Sequence, residues 1–169
     1  MLWRWHPGDK GWEVLPPLPD PGRTSHAMAE YGGDIYVLGG AMAVGANDVK
    51  NLNDAYRFNP TSKQWMRLPD LSIANRAWWA VGLGSSALVL AGYTSDFANA
   101  VYQYTPQHGP RLIGALPHAL ADTKFFLIHD VIVGTGGEVG PGVRGRWTLQ
   151  TEVPESFLAK GHEKQDGAR

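Results

Sequence analysis

GWEVLPPLPDPGRTSHAMAEYGGDIYVLGG (Gly11–Gly40) lies over QWMRLPDLSIANRAWWAVGLGSSALVLAGY (Gln64–Tyr93) with matched residues throughout. Trp12 meets Trp65, Leu15 meets Leu68, Leu18 meets Leu71, Arg23 meets Arg76, Ala27 meets Ala80 and Gly39 meets Gly92, all at a constant spacing of 53 without a gap. A third, shorter copy runs through LIGALPHALADTKFFLIHDVIVGTGG (Leu112–Gly137), where Trp65 has no counterpart. A repeat of this length decides the architecture, because each copy is one unit that must stack on its neighbours to bury an apolar face. Within one copy the apolar runs are short and separated by turn residues, which reads as four strands. They are His26–Glu30, Ile35–Leu38 ending in Gly39-Gly40, Asp54–Phe58, and Trp65–Leu68 after the turn NPTSKQ. The glycine doublet permits a sharp bend close to the neighbouring unit, where a Cβ would clash.

Composition agrees. The chain has 169 residues, 43% hydrophobic and 18% charged, enough to bury a core. Its 21 Gly and 12 Pro are scattered between apolar runs and leave little room for long helices. The net charge of -1 argues against a nucleic-acid backbone as partner. No apolar run approaches a membrane span of roughly 18 residues. With no cysteine, disulfides, cysteine zinc sites and thiol nucleophiles are excluded. The six histidines show no metal-ligand spacing, so no metal and no cofactor is expected. Gly134-Thr135-Gly136-Gly137 follows a strand without opening a helix, unlike a nucleotide loop.

A period of about 50 residues with a glycine doublet after an apolar strand resembles the kelch type of β-propeller blade. The expected fold is therefore all-β, with about three four-stranded blades over residues 1–153 and a flexible polar tail over 154–169. The leading segment Leu2–Pro19 reads as the third and fourth strands of a blade, and the end supplies Phe125–His129, Val131–Thr135 and a third strand in Arg146–Val153. Such a count leaves open edges. Either the chain is part of a longer kelch protein, or two copies pair as a homodimer that completes six blades, each lending its leading strands to the partner's trailing ones.

GGEVGPGVR (Gly136–Arg144) resembles the GE-x-x-PG-x-R loop of the N-acetylneuraminate epimerase (sialic acid mutarotase) family, and GYTSDF (Gly92–Phe97) and PHALADTKF (Pro117–Phe125) are similar to that branch as well. The resemblance implies that Glu138 and Arg144 lie in a central-channel active site acting on a sugar acid. It also implies no metal; the copper-oxidase branch needs a Cys–Tyr cofactor that this sequence lacks. The chemistry suits the residues: a carboxylate moves a proton in opening and closing a hemiketal, and a guanidinium forks onto a carboxylate. The bland alternative is an ion pair pinning a glycine-rich loop. Asp122 departs from the repeat pattern and is a third acid–base candidate. Arg23 and Arg76 enter strand a in successive copies, either to bind an anionic sugar or to brace the blades. His26 and Trp79 are read as equivalent strand positions that line the channel against a sugar face or fill space between blades. The competing readings are a module that binds a protein ligand and a remnant without activity of its own. Members of the resembled family are typically exported. This start, MLWRWHPGDK, has no signal-like apolar stretch, which gives a cytoplasmic expectation unless the N-terminus is truncated.

Overall fold

The computed structural model describes residues 1–19, 21–46 and 48–157. It is built almost wholly of antiparallel strands. β1 (Leu2–Arg4) and β2 (Glu13–Leu15) form a two-stranded sheet. β3 (Ala27–Tyr31), β4 (Asp34–Ala43), β5 (Val49–Asn59) and β6 (Gln64–Leu68) form the first full blade, in chain order. β7 (Trp79–Leu83), β8 (Ser86–Leu90), β9 (Ala98–Thr105) and β10 (Gly109–Leu120) form the second. β11 (Lys124–Ile128), β12 (Val131–Thr135) and β15 (Thr148–Glu152) form a third, three-stranded blade, with the short hairpin β13 (Glu138–Gly140) and β14 (Val143–Arg144) inserted before its last strand. This is the partial propeller that the repeats predict, including the half-blade at the start.

The middle blade shows why the units must stack. In β7 and β8, Ala80, Ala87 and Val89 join a buried cluster with Tyr31, Tyr36 and Leu38 of the first blade. Their alternate neighbours Val81, Leu83, Leu88 and Leu90 join a second cluster with Phe125 and Ile132 of the third blade. Period-two alternation therefore sends successive side chains to opposite blades, and β8 is buried along its whole length. Gly82, on the face toward the first blade, is where the sheets approach most closely: a Cβ there would lie 1.8 Å from the carbonyl oxygen of Glu30.

At their inner ends the blades are joined by backbone hydrogen bonds. Ala77 N–H donates to the Ser25 carbonyl and Asp122 N–H donates to the Ala77 carbonyl, both at 2.8 Å. Ser25, Ala77 and Asp122 all have φ between 52° and 56°, the left-handed conformation, in the same place of three blades. Such backbone strain persists only where surrounding bonds over-determine it. The glycines after each blade's second strand add a second set: Gly40 N–H reaches the Asn75 carbonyl at 2.8 Å and Gly92 N–H reaches the Leu120 carbonyl at 2.7 Å.

These bonds correct the register of the repeat. The Trp-bearing strands keep the spacing of 53, but the inner strands do not. Thr24 bridges Ala41 where Arg76 bridges Tyr93 and Ala121 bridges Glu138. Arg76 is thus the counterpart of Thr24, one residue off the gapless alignment, and the counterpart of Arg23 is Asn75. His26 likewise corresponds to Trp78, not Trp79. One residue is lost between Leu71 and Asn75, where the chain passes from one blade to the next. Trp12, the counterpart of Trp65, does not pack between blades: it is 64% exposed and rests on Trp5 at 6.3 Å between ring centroids.

Arg23 braces the first blade. It donates two bonds to Asp54, at 2.6 and 2.7 Å, and a third to the Gly39 carbonyl at 3.0 Å. Its side chain is 1% exposed. Burial alone would raise the Asp54 carboxyl, but the bonds and charge of Arg23 outweigh it and hold the group below the usual carboxylate range. At the chain's end Val153 is buried and Glu155–Phe157 makes one 3-10 turn, with Phe157 packed on the second cluster; the rest of the expected tail lies outside the described residues.

Two stability predictions follow from this packing. Gly82→Ala forces the first two blades apart and lowers the free energy of unfolding by about 1–3 kcal/mol, read from urea melts. Asp54→Ala strands the buried Arg23 guanidinium and costs about 3–5 kcal/mol by the same measurement. Because the Asp54 carboxyl is depressed in the folded state, the stability it confers is present above about pH 4 and is lost as pH falls through the folded value; Asp54→Ala should flatten the acid limb of the stability profile.

Candidate functional site

The three bridges define one rung at the inner end of each blade, and each rung has a third member on the following strand. In the first blade Thr24, Ala41 and Asn51 lie side by side. In the second they are Arg76, Tyr93 and Phe97. In the third they are Ala121, Glu138 and Arg144. The backbone is the same in all three and the side chains are not. Repeat symmetry therefore gives no support to a scaffold role for Arg76, whose place is held by Thr in one blade and Ala in another.

The second and third rungs enclose a cleft of about 240 Å³ lined by Arg76, Ala77, Tyr93, Phe97, Ala121, Asp122, Glu138 and Pro141. Of the residues expected from sequence, the structure brings Arg76, Asp122 and Glu138 to this cleft. Arg76 holds its guanidinium 4.4 Å over the Tyr93 ring and donates to Asn51 Oδ1 at 2.5 Å. No carboxylate lies within ion-pair distance of it among the described residues. Tyr93 meets Phe97 edge to face at 5.3 Å, so one wall of the cleft is aromatic.

Glu138 opens β13 and pairs across the hairpin with Arg144. Its Oε1 lies 2.6 Å from Arg144 Nη1 and accepts the Gly142 N–H at 3.1 Å, which ties the carboxylate to the turn that carries it. The Glu138 side chain is 21% exposed and that of Arg144 72%. The Gly-Pro-Gly turn folds the loop back, and the ion pair forms. Asp122 enters from the strained position before β11, which turns it out to the cleft as an exposed residue.

Three of the expected residues lie elsewhere. Arg23 is buried against Asp54, and its equivalent Asn75 plays a similar part by donating to the Ala91 carbonyl at 3.3 Å. His26 is half-buried behind Gly40, with a buried Nδ1 that has no hydrogen-bond partner among the described residues; burial first, and then the charge of Arg23, push its imidazole below the usual value. Trp79 faces the third blade, with Lys124 Nζ 4.4 Å over its ring and Phe126 at 6.2 Å. Sequence reading missed Asn51, Tyr93 and Phe97 as site residues. The last two sit in GYTSDF, a segment already marked by its resemblance, whereas Asn51 belongs to a different repeat and reaches the site only through the fold.

Comparison with known proteins agrees with this architecture. The kelch motif model matches residues 22–72. The N-acetylneuraminate epimerase of Haemophilus influenzae (strain PittEE) is 34% identical over 93 residues, which cover 54% of this chain and 25% of that protein. The protein of the same name from Yersinia pestis (strain Pestoides F) is 38% identical over 60 residues, 34% of this chain and 15% of the relative. Human Kelch-like protein 33 is 32% identical over 98 residues, 57% of this chain and 18% of that protein. The solved structure of YjhT superposes with a TM-score of 0.79 at 17% identity, over 89% of this chain and 56% of that one. This chain thus spans a quarter or less of the length of these curated relatives. It is a partial propeller of kelch-type blades, similar over part of its length to the N-acetylneuraminate epimerases.

Proposed function

We propose that the cleft between the second and third rungs binds a sugar acid of the sialic acid class, and that the chain takes part in interconverting its anomers. The observation that carries this reading is Arg76: a cation stacked on an aromatic ring, without a carboxylate partner among the described residues, facing a cleft that also holds Asp122 and Glu138. A planar guanidinium takes a carboxylate through two parallel hydrogen bonds. Tyr93 and Phe97 offer an apolar wall to a pyranose face. The names of the epimerase relatives support the substrate class, and the Glu138–Arg144 hairpin resembles the GE-x-x-PG-x-R loop of that family.

The proton chemistry balances without a metal or organic cofactor. One carboxylate removes the proton of the anomeric hydroxyl. The bond from the anomeric carbon to the ring oxygen breaks, its electron pair goes to that oxygen, and the oxygen takes up a proton. The open keto form turns and closes on its other face by the reverse transfers. We assign Glu138 to one transfer and Asp122 to the other, with Arg144 holding Glu138 in place and Arg76 holding the substrate carboxylate. In this reading the remaining blades come from a longer protein or from a second copy. The third blade already has β15 as its third strand, so a partner closing it supplies one strand, not two.

A second reading, a module docking a protein ligand, draws on the exposed indoles of Trp3, Trp5 and Trp12 on the leading half-blade. It differs in that ligand binding is indifferent to Glu138 and Arg144.

Proton NMR of freshly dissolved N-acetylneuraminate decides between them. The wild-type chain should speed anomer exchange, and Glu138→Gln should slow that exchange about 100-fold toward the spontaneous rate. A wild-type rate equal to the spontaneous one overturns the enzymatic reading. Light scattering tests closure by a second copy: a monodisperse, folded monomer at working concentration rules it out.

A further inference from the structure

Asn51 is the first blade's member of the inner rung, yet its side chain serves the second blade. Its Nδ2 donates to the carbonyls of Tyr93 at 2.9 Å and Thr94 at 2.8 Å, and its Oδ1 accepts from Arg76 Nη1 at 2.5 Å. Both amide hydrogens and one acceptor are therefore engaged, and the amide has one orientation that satisfies all three contacts: reversed, it would set an NH2 against the guanidinium and an oxygen against two carbonyls. Phe97 and Arg144 occupy the same rung position in the other blades, so no repeat rule places an amide here. The stacking ring of Tyr93 and the amide of Asn51 together fix the guanidinium from two directions and leave its other N–H groups without a partner among the described residues.

We propose that Asn51 is a positioning residue acting across the blade boundary: by pinning one arm of Arg76 and the backbone of Tyr93 and Thr94, it presents the free edge of that guanidinium to the carboxylate of the bound sugar acid. This rests on the function proposed above for its substrate, but the geometric part stands apart from it. The choice of an amide over a carboxylate is part of the device. Asp at position 51 would neutralise Arg76 and compete with the substrate, and it would also set negative oxygen against the Tyr93 and Thr94 carbonyls. A neutral acceptor orients the cation without cancelling its charge.

Two measurements test it. Nitrogen-15 NMR of the arginine side chains should show slow rotation of the Arg76 guanidinium in the wild type, assigned by loss of its signal in Arg76→Lys, and fast rotation in Asn51→Ala. Equal rotation in the two overturns the proposal without any reference to substrate. Kinetics on N-acetylneuraminate should then show Asn51→Ala raising KM about tenfold, Asn51→Asp raising it further, and kcat little changed in either. In an Arg76→Ala background Asn51→Ala should have no further effect on KM. A KM rise that persists in that background means that Asn51 acts on the Tyr93–Thr94 loop alone and overturns the proposal. Thermal melts of each variant confirm the folded state. If the wild type neither binds nor turns over the sugar, the proposed function falls, and the guanidinium spectrum still decides the role of Asn51.

Discussion

Ala77 is tied on both sides, its N–H to Ser25 and its carbonyl to Asp122. This short line of backbone bonds fixes the spacing and angle of the blades at the end where they are closest. Everything else is built outward from it. Once Ser25, Ala77 and Asp122 are locked in the left-handed region, the strands that follow leave the hub in parallel paths, and the apolar faces of neighbouring sheets meet along their length. The strain of a left-handed non-glycine residue, about 1–3 kcal/mol at each position, is offset by bonds that no looser arrangement would make. The glycines after the second strand of each blade serve the same joint. At Gly92, with φ of 112°, a Cβ would meet the Asn75 amide oxygen at 2.4 Å, so the residue there must be both left-handed and bare.

Most of the fold was legible in the chain. Alternating apolar residues, glycines and turn signals located the blade strands, and Val131–Thr135 matches β12 at both ends, but β4 runs on to Ala43 and β5 starts at Val49, five residues beyond the expected ends. The leading half-blade and the three-stranded finish were legible for the same reason, since each is a recognisable piece of a repeated unit. The register was less so. Identity between Arg23 and Arg76 drew the alignment one residue off, because two arginines and two glycines outweighed the quieter match of Thr24 with Arg76. Hydrogen-bonding partners settle what letters cannot: the residue after Gly40, Gly92 or Gly137 bridges the residue before each strained position, whatever side chains stand there.

The same distinction separates the parts of the site that the sequence revealed from those it hid. Glu138 and Arg144 lie six apart in one loop, and a tight turn was enough to predict their meeting. Asp122 was visible as a break in the repeat. Asn51 was not, because its contacts with Arg76 and Tyr93 span a blade boundary and depend on where β5 begins. Arg23 shows the converse. Its type and position suggested an anion site, but the carboxylate that answers it, Asp54, is on another strand of its own blade. The strand of the second blade that corresponds to β5 carries no such partner for Arg76.

The inner rung unites constancy and variation in an unusual way. The bridge is made by main-chain atoms in each blade, so one backbone pattern carries three different sets of side chains. The lining of the hub can therefore differ from blade to blade, but its contacts change in sets, because Asn51 is tied to Arg76 and Tyr93, and Glu138 to Arg144. A lineage built on such units inherits a ready-made set of exchangeable contacts, and duplication of a blade multiplies them without asking the chain to learn a new shape.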